Sequence, residues 1–188
     1  MVVDLARSHG FRVLTLDIKK ENYGVPENLE YDFLASCGWG YKIPLSLIDK
    51  AKIAAINCHS SFLPDYKGAS VYLAQWANCE SFGGATIHFL DSGFDSGRII
   101  TQGQISIKNF DSPSDILEKA SFLTAALIRE ALLLIEKGFE GSENIGGRYF
   151  KSCSRIRLLL HRITNITLKL FGSGKRWLTP HKYISTKP

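Results

Sequence analysis

The chain has 188 residues, 45% hydrophobic and 22% charged, enough for one domain to bury a core without disulfide or metal staples. Its formal charge of +5 is unevenly placed: residues 1–147 carry 13 Lys and Arg against 18 Asp and Glu, whereas residues 148–188 carry 10 against none. No apolar run reaches the ~20 residues of a bilayer-spanning helix, and the first ten residues lack the basic start and unbroken apolar stretch of a signal peptide, so a cytoplasmic location is expected.

In chain order, Asp4 to His9 reads as the end of a helix closed by Gly10, and Arg12 to Leu16 as a short strand. Tyr31 to Ser36 and Ile53 to Cys58 are apolar runs bounded by turn residues and separated by a helix-like Leu45 to Lys50; they are expected as buried parallel strands. Ser70 to Asn78 predicts a helix, and Thr86 to Leu90 and Arg98 to Ile107 predict further strands. The strongest helix signal runs from Ser112 to Lys137. Ser112 can cap it, Pro113 suits its first turn, Asp115 completes a capping-box pattern and Gly138 ends it. Ile116, Phe122, Leu123, Ala126, Leu127 and Leu134 recur at helical spacing and are assigned to packing. The alternation predicts an α/β sheet with helices on both faces.

Gly138 to Gly147 is the best linker candidate, dividing a unit at 1–147 from a basic C-terminal extension at 148–188. Within the extension, Ser154 to Phe171 predicts an amphipathic helix carrying Arg155, Arg157, Arg162 and Lys169, with Lys175 and Arg176 beyond it. Packing on the rest of the chain or self-association as a homodimer is favoured there, because the segment is apolar enough to bury itself. The alternative is weak contact with an anionic membrane surface or nucleic acid. Cysteines stand at 37, 58, 79 and 153 with no C-x-x-C pair, a pattern that disfavours a zinc knuckle and fits reduced thiols; no metal site is expected.

Chemistry concentrates at the end of the second predicted strand, in Asn57-Cys58-His59-Ser60-Ser61-Phe62-Leu63-Pro64. Side chains of an extended segment alternate, so Asn57 and His59 face one side and Cys58 the other, toward the core. An amide that can donate to a developing oxyanion beside an imidazole that exchanges protons near neutral pH is a pairing suited to acyl transfer. Alone, such a pair is more often a turn cap and a buried structural histidine. A second polar cluster, Asp91-Ser92-Gly93-Phe94-Asp95-Ser96-Gly97, follows an apolar strand and reverses that balance. Its glycines expose backbone groups and its carboxylates can orient an imidazole. Asp95 is the first candidate for that role, and Asp91 is more simply a turn-fixing residue. His88 is expected as a packed histidine.

The run Asn57-x-His59-x-Ser61-x-Leu63-Pro64-x-Tyr66-x-Gly68, followed by Gly84-Ala85-Thr86-Ile87-His88 and Asp91-x-Gly93-x-Asp95-x-Gly97, resembles the folate-dependent formyltransferases. That family includes glycinamide ribonucleotide transformylase, methionyl-tRNA formyltransferase and nucleotide-sugar N-formyltransferases. The resemblance implies a Rossmann-like sheet and transfer of a formyl group from 10-formyltetrahydrofolate, a co-substrate, to a primary amine without a metal. It implies that Asn57, His59 and Asp95 are the catalytic trio, with His59 favouring its charged form beside the carboxylate. It places the folate against Gly40, Tyr41, Lys42 and Ile43 and against Asp91, Ser92, Gly93 and Phe94, chiefly through backbone groups. Relatives open with a strand and a polar turn, so the first strand–helix unit is expected to be missing here. The acceptor is expected to be a small amine, foremost a nucleotide-linked amino sugar. Behind it stand glycinamide ribonucleotide, methionyl-tRNA, hydrolysis of the same folate by water, and an inactive remnant whose basic tail binds a membrane or nucleic acid.

Overall fold

A computed structural model describes residues 2–151 and 154–171. A first helix, α1 (Val2–Ser8), leads through an irregular segment and a 3-10 turn at Glu21–Gly24 to β1 (Tyr31–Cys37) and the short α2 (Leu45–Ile48). There follow β2 (Ala51–His59), β3 (Lys67–Gly68), α3 (Val71–Ala77), β4 (Phe82–Phe89), β5 (Ile99–Ser106), α4 (Pro113–Glu136), β6 (Tyr149–Phe150) and α5 (Arg155–Phe171). The main sheet has the order β1-β2-β4-β5, and β3 and β6 form a separate two-stranded ladder. β1 and β2 run parallel, as expected, whereas β4 is antiparallel to β2 and to β5. The result is a mixed α/β sheet flanked by helices.

Period-two alternation along β2 divides the protein into a core face and a site face. Ala54, Ile56 and Cys58 join Ala85 and Ile87 of β4, Ile100 of β5, and Leu127 and Ala131 of α4 in one hydrophobic cluster. Each fully buried aliphatic side chain of this kind contributes about 1.5–3 kcal/mol relative to exposure. Asn57 and His59 lie on the opposite face, directly across from His88 and Thr86 of β4.

Helix α4 starts where its cap requires. The Ser112 hydroxyl accepts from the Asp115 N–H and the Asp115 carboxylate accepts from the Ser112 N–H, which satisfies two end groups reciprocally. Its buried stripe is Ile116, Ala120, Leu127 and Ala131. Phe122, expected in that stripe, is 72% exposed, and Ala126 is exposed with it. They are one helical turn apart and share the solvent side.

Three further expectations are corrected. Arg12–Leu16 forms no strand; an apolar run becomes a strand only where a ladder partner exists, and β1 pairs with β2 alone. β4 begins at Phe82, four residues earlier than expected, because Gly83 and Gly84 are strand residues there. A Cβ at Gly84 would sit 2.4 Å from the Gly103 carbonyl oxygen of β5, so glycine permits the close approach of the two strands. Finally, residues 138–147 do not hang free between two units. Ser142 bridges to Ile99 of β5 and the Arg98 guanidinium donates to the Gly141 carbonyl.

The ladder between β3 and β6 ties residues 148–150 to the same body as the loop after β2. Lys67 pairs with Tyr149 and Gly68 with Phe150, and the buried Phe150 ring stacks on Tyr66 at 4.5 Å. The charge boundary at 147/148 therefore falls within one packed region. Helix α5 lies where the periodicity predicts it and grips the end of α3 with polar groups. His161 Nε2 donates to the Asn78 side-chain oxygen at 2.7 Å, Asn165 donates to the Ala77 carbonyl at 2.9 Å, and Arg162 covers the Trp76 ring at 4.3 Å. No helix among the described residues is long and apolar enough to cross a membrane. Cys153, Lys175 and Arg176 lie outside the described residues.

Candidate active site

The site is assembled where β2 ends beside β4 and the β4–β5 loop folds back over both. Asn57 Nδ2 donates to His88 Nε2 at 3.1 Å and to Asp95 Oδ1 at 3.3 Å. Asp95 Oδ1 also lies 3.5 Å from His59 Nδ1 and 3.5 Å from His88 Nε2. Two backbone carbonyls set the rings. His59 Nε2 donates to the Tyr66 carbonyl at 2.7 Å and His88 Nδ1 to the Phe89 carbonyl at 2.7 Å. Each ring therefore presents its other nitrogen to Asp95. The structure thus brings Asn57, His59 and Asp95 together around one carboxylate.

His88 is packed as expected, and the structure adds a contact with the site that the sequence reading did not assign. It is buried and hydrogen-bonded, as a packed histidine would be, yet its Nε2 faces the same carboxylate as His59. The signal that finds it is the cross-strand register, which sets His88 opposite Asn57; that pairing exists only because β4 is antiparallel.

Asp95 is held from several sides. Its Oδ2 accepts from the Gly68 N–H at 2.7 Å. Gly68 has φ +108, and a Cβ there would lie 2.1 Å from the Phe150 carbonyl oxygen, so only glycine lets this backbone reach the carboxylate. Asp95 itself adopts the left-handed region at φ 50, a conformation held by its surroundings. Chief among these is Asn144, whose amide donates to the carbonyls of Asp95 and Gly97, each at 2.9 Å. Asp91 performs the turn-fixing role: its Oδ1 accepts from the Gly93 N–H at 2.9 Å and the Ser96 hydroxyl at 2.7 Å.

Charge follows from this packing. Burial opposes ionisation of Asp95, but its contacts with the His88 and His59 imidazoles and the Gly68 N–H outweigh it, and its carboxyl stays below the usual range. Burial also dominates at His59 and pushes its pKa below the ordinary value despite the attraction of Asp95. This corrects the expectation of a charged His59.

A cavity of about 450 Å³ opens onto this cluster. Gly40, Tyr41, Lys42 and Ile43 line one wall, and Asp91, Gly93 and Phe94 line another; Ser92 is not part of the lining. Ala69, Tyr72 and Tyr149 also line it, and no periodic or motif signal marks them. Trp39 lines the cavity, its buried Nε1 has no hydrogen-bond partner, and the Trp39 and Tyr41 rings meet edge to face at 5.6 Å. No group of three or more His, Cys, Asp or Glu side chains able to hold a metal occurs among the described residues.

A mixed sheet with its polar cluster at a strand end, facing a deep cleft, defines a Rossmann-like ligand-binding fold. The chain belongs to the formyl transferase family, whose model matches residues 6–132. It is 35% identical to methionyl-tRNA formyltransferase of Thermodesulfovibrio yellowstonii over 60% of this chain and 36% of that one. With the Borrelia hermsii methionyl-tRNA formyltransferase the identity is 31% over 78% of this chain and 47% of that one. The chain spans less than half the length of the curated relatives it matches. Among solved structures, it is similar to the formyltransferase PseJ from Anoxybacillus kamchatkensis, determined with UDP-4,6-dideoxy-4-formamido-L-AltNAc and tetrahydrofolate. That likeness has a TM-score of 0.61 and 29% identity, covering 92% of this chain and 87% of that one. An N-formyltransferase from Helicobacter canadensis, in complex with folinic acid and dTDP-3-aminofucose, matches with TM-score 0.57 and 25% identity over 80% of this chain and 54% of that one.

Proposed function

We propose that this chain transfers a formyl group from 10-formyltetrahydrofolate to the primary amine of a nucleotide-linked amino sugar. The observation that carries the reading is the convergence of Asn57, His59 and Asp95 at the mouth of one cavity. The amino-sugar acceptor is supported by the likeness to PseJ, which extends over most of both chains.

Gly40 to Ile43 and Asp91 to Phe94 would hold the folate. The bound folate would supply the formyl group. Asn57 donates an amide N–H to the formyl oxygen as negative charge grows there, exchanging its resting contacts with Asp95 and His88 for this one. His59 enters neutral, so its Nδ1 takes the proton that the attacking amine must lose. Asp95, ionised and 3.5 Å away, stabilises the imidazolium that results. As the carbon–nitrogen bond to the folate breaks, His59 returns that proton to the departing nitrogen. The new amide and tetrahydrofolate leave, and the site regains its starting protonation. His88 holds Asn57 and Asp95 in register through its Nε2 and acts as a positioning residue.

Incubation with 10-formyltetrahydrofolate and a panel of amino-sugar nucleotides, following tetrahydrofolate release and the formylated product, tests this reading. Product with a nucleotide-linked amine is expected. Formate released at the same rate with and without amine would instead assign the folate hydrolase reaction.

A further inference from the structure

A second pair of ionisable side chains, one of them Cys58 in the cavity lining, takes no part in the proposed reaction. Cys37 ends β1, Cys58 is the penultimate residue of β2, and the parallel ladder sets them directly opposite each other. Residues so paired project from the same face of the sheet. Neighbouring strands lie about 4.8 Å apart, and disulfides form across Cα separations of about 4.4–6.8 Å. The ladder thus makes the two thiols neighbours across adjacent strands.

The two are unlike in surroundings. Cys37 is exposed at the strand end, and Cys58 is buried beneath it. The hydrogen bond from Cys58 brings the Cys37 pKa down to about 7, against the effect of burial. The same bond, and then burial, push the Cys58 thiol up. An accessible thiolate beside a protonated thiol is the arrangement of an attacking and a resolving cysteine.

We propose that Cys37 and Cys58 form a reversible, peroxide-responsive thiol–disulfide pair. The Cys37 thiolate attacks one oxygen of hydrogen peroxide, the O–O bond breaks, and the hydroxide released is protonated to water, leaving a sulfenic acid. Cys58 Sγ then gives up its proton and attacks Cys37 Sγ. The S–O bond breaks and the second oxygen leaves as water. Two thiols are oxidised by two electrons and one peroxide is reduced to two waters; a small dithiol reductant reverses the change. Closure draws together the start of the Gly38–Ile43 wall and the peptide between Asn57 and His59. Oxidation therefore lowers formyl transfer, a consequence that rests on the proposed function, whereas the disulfide itself does not.

Peroxide treatment of the full chain at neutral pH, followed by non-reducing peptide mass analysis, is the test. A Cys37–Cys58 cross-linked peptide lacking two hydrogens, lost on dithiothreitol treatment and absent from Cys37→Ser, is expected. In Cys58→Ser, a sulfenic acid on residue 37 trapped by dimedone is expected in its place. Cys37 and Cys58 remaining thiols after peroxide, or a disulfide joining either of them to Cys79 or Cys153, would overturn the proposal. Turnover is measured on the same samples: a several-fold loss on oxidation, recovered on reduction, supports the linkage to the site, and unchanged turnover in disulfide-bonded protein refutes that linkage. A reduced sample with no turnover on any amine counts against the proposed function and leaves the mass result standing.

Discussion

Neutral His59 beside ionised Asp95 gives the residue scale a pH signature. Both groups are held below their ordinary values of 6.5 and 3.8, so folding favours the deprotonated form of each. The stabilisation they give is present in full above those values and is lost as pH falls through the folded-state values. His161, also lowered by burial, acts in the same window. Thermal melts should therefore fall as pH drops below 6.5, and His59→Gln should flatten that slope more than a surface substitution does. A slope unchanged in His59→Gln would count against a buried neutral ring. Removal of Asn57 should lower kcat by about 10²–10³-fold, the scale for one oxyanion donor, and Asp95→Asn or His59→Gln by about 10²–10⁴-fold. Steady-state assays at constant folate check both. Asn57 and His59 were legible in the sequence because their spacing and the strand period together put them on one face. The contact of His88 with the site was not, since it depends on strand direction, and the charge of His59 was misread because burial, which outweighs the carboxylate, cannot be counted from the sequence.

Elements position these side chains, and the informative substitutions lie where two elements meet. Gly68→Ala forces a Cβ onto the Phe150 carbonyl and moves the N–H that Asp95 accepts from. It should cost about 2–3 kcal/mol in a denaturant melt and lower kcat together with stability. Asn144→Ala removes two hydrogen bonds to the loop that carries Asp95, a loss of about 1–3 kcal/mol by the same measurement; its kcat should fall although residue 144 touches no substrate. Helix α4 was readable end to end because its capping box, proline and glycine are all local signals. Asn144 sits 49 residues from Asp95 in a glycine-bounded stretch that reads as a linker, and only the tertiary bridge at Ser142 and Ile99 shows otherwise. Arg12–Leu16 errs in the opposite sense: its apolar pattern is that of a strand, and pairing, which pattern cannot supply, decides.

Across the whole molecule, the acidic 1–147 stretch and the described basic residues, 148–151 and 154–171, are joined by packing. Arg162 shows how: its guanidinium lies over Trp76 and donates to the carbonyl of Asn109 at 2.9 Å. A lysine cannot reproduce that planar fork, so Arg162→Lys should lower stability by about 1–2 kcal/mol in a denaturant melt. The fold class was readable from alternating apolar runs, while the mixed strand directions and the β3–β6 ladder were not, because two-residue strands carry no period. Formyl transfer itself is tested most directly by one measurement: tetrahydrofolate release by the reduced chain given 10-formyltetrahydrofolate and a nucleotide-linked amino sugar, with His59→Gln alongside. Amine-dependent release that the substitution reduces at least a hundredfold is predicted, on the scale of about 10²–10⁴ for a lost general base. Folate binding with no amine-dependent release, or release that His59→Gln leaves unchanged, would contradict it.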